Sequence, residues 1–238
     1  MLMLAAASLS ASLLHAQSPD VDRILQRFVK ALGGRAALTD VKSMVVHASV
    51  RLPGIEASGT TVEYFSSGNR FAAITEIPGY GTVSTVYDGR TAWQTGLDGE
   101  VSEISGAELA DIRRRADLHW NLKLAEFYPG LEVRGRAKVD GRDAWKLEAT
   151  VDNWLYDFYF DVRSGLLVRL DTDRLHGTSS VTIGDYRRVG RVLFAFSSAE
   201  ANAPLAWSQT LTGVTFNCPV NDQVFAKPET TTLRAATR

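Results

Sequence analysis

The chain has 238 residues, with 26 basic and 27 acidic side chains and a formal net charge of −1. Both signs are mixed along its length, so there is no basic stripe to attract nucleic acid or an anionic lipid surface. A single cysteine, Cys218, excludes an internal disulfide and any multi-cysteine metal site.

Residues 1–16, MLMLAAASLSASLLHA, are apolar and rich in small side chains, and the first charged residue is Asp20. This fits the apolar core and cleavage zone of a secretory signal peptide, although no basic residue precedes it, and processing is expected after Ala16. The run is too short for a confident membrane span, which needs about 20 apolar residues. The expected product is an exported, soluble chain of 222 residues forming one domain over 17–238, because no linker or repeat divides it. With no cysteine after the cleavage zone, nothing there offers a site for a lipid anchor.

A helix is predicted next. Ser18 suits its cap, Pro19 its first position and Gly33-Gly34 its end, while Val21, Ile24, Leu25, Phe28, Val29 and Leu32 form one apolar stripe. From Ser43 the period changes to two, with Met44, Val46, Ala48, Val50 and Leu52 alternating against a more polar side. Similar stretches follow at 59–65, 70–77, 82–87, 91–95 and 101–104, separated by Pro-Gly, Ser-Gly-Asn and Asp-Gly turn signals, and predict an antiparallel meander. Within it VYDGRTAWQT places Trp93 just past the Asp88-Gly89 turn, where an aromatic ring would pin the hairpin against a core. A second helix is predicted over 107–127, opened by a capping box of Ser105 and Glu108 and broken near Asp117. Seven further strands are expected at 131–139, 142–151, 154–161, 166–172, 179–188, 192–199 and 205–216.

So many antiparallel strands with two or three helices predict a mainly β fold. It would be a single large curved sheet, an incomplete β barrel, with helices covering its concave apolar face. The strand WLYDFYFD carries the heaviest apolar load, with Trp154, Tyr156, Phe158 and Phe160 on one face; Trp145 and Leu147 extend it on one side, and Leu166 and Val168 on the other. These rings either form the core beneath the helices or line an apolar cleft for a greasy ligand, and both readings can hold for different residues.

Catalytic signatures are missing: no G-x-S-x-G elbow, no H-E-x-x-H, no P-loop and no G-x-G-x-x-G occurs. His47, His119 and His176 lie far apart and His15 falls in the leader, so no metal site is expected from them. The pairs Asp157 with Asp161 and Asp171 with Asp173 share strand faces at period two, the pattern of solvated faces. No cofactor and no catalysis are expected.

Five segments together resemble the bacterial LolA-like superfamily of outer-membrane lipoprotein carriers and lipoprotein-sorting relatives. They are the apolar leader, VDRILQRFVKALGGRAAL, VYDGRTAW, YFDVRSGLLVRLD and the closing VTFNCPVNDQVFAKP. The resemblance implies an open half barrel whose lidded hydrophobic cavity shelters acyl chains. It makes the protein a monomeric periplasmic carrier for a lipid or an acylated lipoprotein, with inner- and outer-membrane proteins as further partners. An envelope sensor or scaffold on the same fold, and an enzyme acting on a hydrophobic small molecule, are the alternatives.

Overall fold

The structure, a computed structural model, describes residues 20–174, 177–200 and 206–229. The expected leader, Ser18, Pro19 and His176 lie outside the described residues. Six strands form the first meander: β1 (Ser43–Leu52), β2 (Ala57–Ser66), β3 (Arg70–Ile77), β4 (Gly81–Tyr87), β5 (Ala92–Thr95) and β6 (Val101–Ile104). Seven more follow: β7 (Glu132–Val139), β8 (Arg142–Val151), β9 (Trp154–Asp161), β10 (Leu167–Arg174), β11 (Gly177–Val189), β12 (Val192–Glu200) and β13 (Trp207–Phe216). All thirteen join one antiparallel sheet in the order β6-β5-β4-β3-β2-β1-β13-β12-β11-β10-β9-β8-β7, which is not closed into a barrel. Strand β13 returns to pair with β1, so the two meanders share one continuous sheet with edges at β6 and β7.

Four α-helices pack on this sheet: α1 (Val21–Ala31), α2 (Arg35–Thr39), α3 (Gly106–Arg115) and α4 (Leu124–Phe127). Helix α1 is capped by Asp20, whose side chain accepts from the Arg23 N–H at 2.8 Å. The carboxylate at that position supplies the acceptor that the exposed first-turn donors need. The long second helix divides in two because the buried Asp117 takes the His119 N–H at 2.7 Å and pairs with Lys123 at 2.7 Å, turning the chain between α3 and α4. Ser105 does precede α3, but its side chain makes no capping hydrogen bond. His119 also reaches the Val41 carbonyl at 3.2 Å, tying this turn to the end of α2.

The main core lies where α1 and α4 cover β8, β9 and β10. Ile24, Phe28 and Leu32 of α1 and Leu124 and Tyr128 around α4 pack against Leu147, Tyr156, Phe158 and Phe160. Phe28 meets Phe160 edge-on at 5.1 Å, and Tyr128 meets Tyr156 and Phe158 at 4.9 and 4.8 Å, the edge-to-face geometry that ring quadrupoles favour. The opposite face of the sheet carries a smaller core, in which Ala72 and Val86 are covered by Phe225 from the 3-10 turn Asp222–Phe225. Trp93 and Tyr64 pack there, so the tryptophan beyond the Asp88-Gly89 turn pins the hairpin to the C-terminal segment. Asp88 closes that turn by accepting from the Arg90 and Thr91 N–H groups, each at 2.7 Å.

Strands β12 and β13 diverge over most of their length and pair only over Ser197–Glu200 and Trp207–Thr210. The chain between α1 and α2 occupies the unpaired edge: the Leu193 N–H donates to the Leu32 carbonyl at 2.8 Å. Arg191 pairs with Asp40, and the Asn217 side chain bridges the Lys42 N–H and the Asp40 carbonyl at 2.7 and 3.0 Å. Gly33 is held at φ +121° against the Arg191 carbonyl, where a Cβ has no room. Gly33→Ala is therefore expected to destabilise the fold by at least ~1 kcal/mol, read as a lower midpoint in urea unfolding, whereas Gly34→Ala, with open space around it, costs less despite its own positive φ.

Candidate functional site

Between the sheet and its helices lies an open-mouthed cavity of about 650 Å³. Its walls come from strands far apart in the sheet: Met44 of β1 and Phe65 of β2 on one side, and Tyr156 of β9 and Leu170 of β10 on the other. Strand β2 and strand β9 are six places apart in the order, about 29 Å across a flat sheet at the usual ~4.8 Å spacing. A flat sheet could not bring them to one cavity of this size, so the sheet curls around it.

The floor follows from the two-residue period. Met44 and Phe65 are register partners across β1 and β2, and Met44 and Phe216 across β1 and β13, which sets three apolar residues side by side on one face. Val181, Ile183 and Phe194 continue the wall along β11 and β12. The cover is made by Leu38 and Val41 at α2 and by Leu118 and Trp120 in the turn before α4.

Polar groups gather beside this apolar surface. Asp111 on α3 is buried and accepts from the Tyr156 hydroxyl at 3.0 Å, while Arg115 holds its other oxygen at 2.9 Å. Arg114 donates to the same Tyr156 hydroxyl at 2.9 Å and pairs with Asp152 at 2.7 Å. Its guanidinium sits 5.5 and 5.4 Å from the Tyr128 and Tyr156 rings, so it is packed as a cation against two π faces as well as hydrogen-bonded. Desolvation and the Asp111 charge push the Tyr156 hydroxyl well above the ordinary tyrosine range, which keeps it a proton donor. Helix α3 itself rests on the other meander, where Ile112 and Ala116 pack with Tyr87, Ala92 and Ile104. The Asp111–Tyr156–Arg114 cluster therefore ties the β4–β6 half of the sheet to β9.

On the wall, Glu63 of β2 accepts from the Gln209 side chain at 3.0 Å. Burial pushes its carboxyl above the usual range, opposed by that hydrogen bond and by the charge of Arg115. Glu200 accepts from the Trp207 indole N–H at 2.7 Å, and Arg174 lies over the Trp154 ring at 4.5 Å. No group of three or more His, Cys, Asp or Glu side chains is placed to hold a metal ion among the described residues.

Of the eight residues predicted from the aromatic strand and its neighbours, the structure places one, Tyr156, on the cavity wall. Leu147, Phe158 and Phe160 are fully buried beneath α1 and α4, and Trp145, opposite Phe160, packs at the margin of the same core with Arg136 over its ring. Trp154 lies at that core's edge, and Leu166 packs against it from the turn before β10. Val168 is on the other face of the sheet, with Val139, Ala144 and Tyr159. A bulge between Leu167 and Arg169 interrupts the alternation there, so Leu167 and Leu170 both face the concave side and Val168 is turned to the other face. The cavity residues missed by sequence reading lie on β1, β2, β11, β12 and β13. On β2 the signal is masked: Val62 and Tyr64 are as apolar as the inward Phe65, because the outer face has its own cover.

Tyr156→Phe, which removes one hydroxyl and leaves the rings in place, should cost about 1–2 kcal/mol of stability. Arg114→Leu leaves Tyr156 and Asp152 without their cation and should cost more, about 3 kcal/mol, measured by chemical denaturation. Equal, negligible effects of the two substitutions would mean that α3 is held by its apolar face alone.

No protein-family model matches the chain, and no curated protein matches it in sequence. Solved structures do match. A LolA superfamily protein of Nitrosomonas europaea superposes with a TM-score of 0.59 at 11% identity, covering 88% of this chain and 99% of that one. A DUF1329 family protein of Desulfovibrio piger gives a TM-score of 0.59 at 11% identity, over 87% of this chain and 97% of that one. At such identity the likeness concerns the backbone, and it agrees with the open thirteen-stranded sheet: the chain has a LolA-like fold.

Proposed function

We propose that the protein is a binding protein or carrier that shelters a hydrophobic ligand, the acyl chains of a lipid or lipoprotein, in the concave face of its half barrel. The observation that carries this reading is the cavity of about 650 Å³ between the sheet and its helices, walled by Met44, Phe65, Leu170, Ile183, Phe194 and Phe216. Its volume falls in the range of roughly 300–1,000 Å³ typical of small-molecule sites. An alkyl chain needs apolar area rather than directional bonding, and each buried methylene contributes about 0.8 kcal/mol, so ten contribute ~8 kcal/mol before the cost of association.

Residues 1–16 are assigned as an export signal and 17–238 as the working domain, placing the protein in the periplasm, where an acyl chain must be shielded from water in transit. No helix among the described residues is long and apolar enough to cross a membrane. Delivery between membrane partners is the carrier form of the same reading, and the family likeness in fold supports it.

Protein purified from its host under mild conditions should release fatty acid or phospholipid on solvent extraction, detected by mass spectrometry. Leu170→Trp and Ile183→Trp, which fill the cavity from its wall, should lower the bound lipid severalfold while the protein remains folded. Phe158→Asp should instead lose the fold, because that ring is fully buried in the core and an unpaired carboxylate there costs several kcal/mol. Lipid-free protein, or lipid content indifferent to the two tryptophans, contradicts the reading.

A further inference from the structure

The charged groups on the cavity wall differ in how they are compensated. Asp111 is held by Arg115 and lies close to Arg114, at 2.9 and 3.9 Å. Asp117 is paired with Lys123 at 2.7 Å. Arg174 stacks on Trp154. Among the acids of the wall, Glu63 and Glu200 are different, since each is hydrogen-bonded to a neutral donor, the Gln209 amide and the Trp207 indole, and neither is ion-paired to a lysine or arginine among the described residues.

Glu63 sits where this matters most. Its neighbours along the same face of β2 are Thr61 and Phe65, and its register partner on β1 is Val46, which is buried. The nearest cation felt by its carboxylate is Arg115, whose Nε is already engaged by Asp111. A carboxylate in an apolar wall is costly to ionise without a cation, and its burial raises its proton affinity accordingly. Phe65, Met44 and Phe216 lie next to it in adjacent strands, so a chain laid along the floor begins at this carboxylate.

We propose that the cavity takes a single-chain amphiphile with a primary-amine head group, its ammonium held by the Glu63 carboxylate and its alkyl chain lying over Phe65, Met44 and Phe216. This rests on the cavity being a ligand site and adds the charge of the ligand's head group. A cation delivered by the ligand supplies the partner that Glu63 lacks. An anionic head group placed there brings no cation and adds charge of the sign the wall already carries in excess, with Glu200, Asp111 and Asp117 on the same cavity. Of the two arginines on the wall, Arg115 is paired with Asp111 and Arg174 lies over the Trp154 ring, and neither makes an ion pair with Glu63.

The test uses the full chain and three ligands with the same tail: dodecylamine, dodecanol and dodecanoate, titrated below their micellar concentrations. Trp120 and Trp207 line the cavity, and their fluorescence reports occupancy. Dodecylamine is expected to bind at least about tenfold more tightly than dodecanoate, with dodecanol between them. In Glu63→Gln, which can still accept from Gln209, amine affinity should fall by about tenfold while dodecanol affinity stays within about twofold. Equal or stronger binding of dodecanoate overturns the proposal, and so does an amine preference that survives Glu63→Gln. The comparison of head groups on the unaltered protein decides the matter even if the variant fails to fold. Should none of the three tails bind to folded protein, the hydrophobic cavity reading fails, an outcome distinct from tails that bind without preference for the amine.

Discussion

An open sheet of thirteen strands has a concave face too large for four short helices to cover, and most of the architecture follows from how that mismatch is distributed. Helices α1 and α4 are spent on the β8–β10 end, where they meet the aromatic face of β9 and make a dense core. Helix α3 is spent on the β4–β6 end with Tyr87 and Ile104. The middle of the sheet, around β1, β13 and β12, is left with only the short α2 and the turn around Trp120 above it, and that is where the cavity lies. Apolar area without a protein partner is normally a liability, whereas a recess between sheet and helices limits its exposure to water.

Two ends packed separately would be free to splay, and the polar cluster at α3 prevents this. Arg114 is anchored to Asp152 beyond the end of β8, to the Tyr156 hydroxyl of β9 and to two ring faces, while its helix is fixed to the far meander by Ile112. Burying such charges gives little net stability compared with an apolar replacement, but it imposes geometry, since only one placement of α3 satisfies Asp111, Arg114 and Tyr156 together. The second restraint is the α1–α2 corner, inserted where β12 parts from β13 and fixed there by the Leu193 to Leu32 hydrogen bond. Both restraints act at the borders of the cavity, and they hold its shape with contacts that a ligand need not disturb.

The fold was legible because strand periodicity and turn chemistry are local. Asp88-Gly89, the alternation from Ser43 to Leu52, and the bounds of β3, β6, β8 and β9 can all be read from the chain directly. The site was not, for three physical reasons. The richest aromatic strand is rich because it faces the helices, and a face that finds a protein partner is thereby removed from the ligand. The bulge after Leu167 turns Val168 outward and Leu167 inward, and nothing in LLVRLD signals the extra residue. The outer face of β2, β3 and β4 carries its own core under Phe225, so apolar residues on both faces conceal which of them points inward. Trp93, beyond the Asp88-Gly89 turn, and the closing segment VTFNCPVNDQVFAKP meet in that same outer core, with Asn217 tying the end of β13 back to Asp40 and Lys42. Those family-like residues mark how the sheet is assembled rather than what it binds.

Glu63 illustrates how the two kinds of information meet. In the sequence it is one acid among 27 acidic residues, at a position where alternation alone leaves either face open. Only the register, Val46 opposite Glu63 and Met44 opposite Phe65, puts it among apolar partners on the concave side. A solvated glutamate at that position has no consequence, whereas one in an apolar wall makes the cavity's preference depend on the charge of what enters. Chain length can be accommodated by a curved apolar floor almost without discrimination, because each methylene gains much the same wherever it lies. Selectivity on such a scaffold must therefore come from its few inward polar groups, and in this chain the acids among them, Glu63, Asp111, Asp117 and Glu200, outnumber the arginines, Arg115 and Arg174.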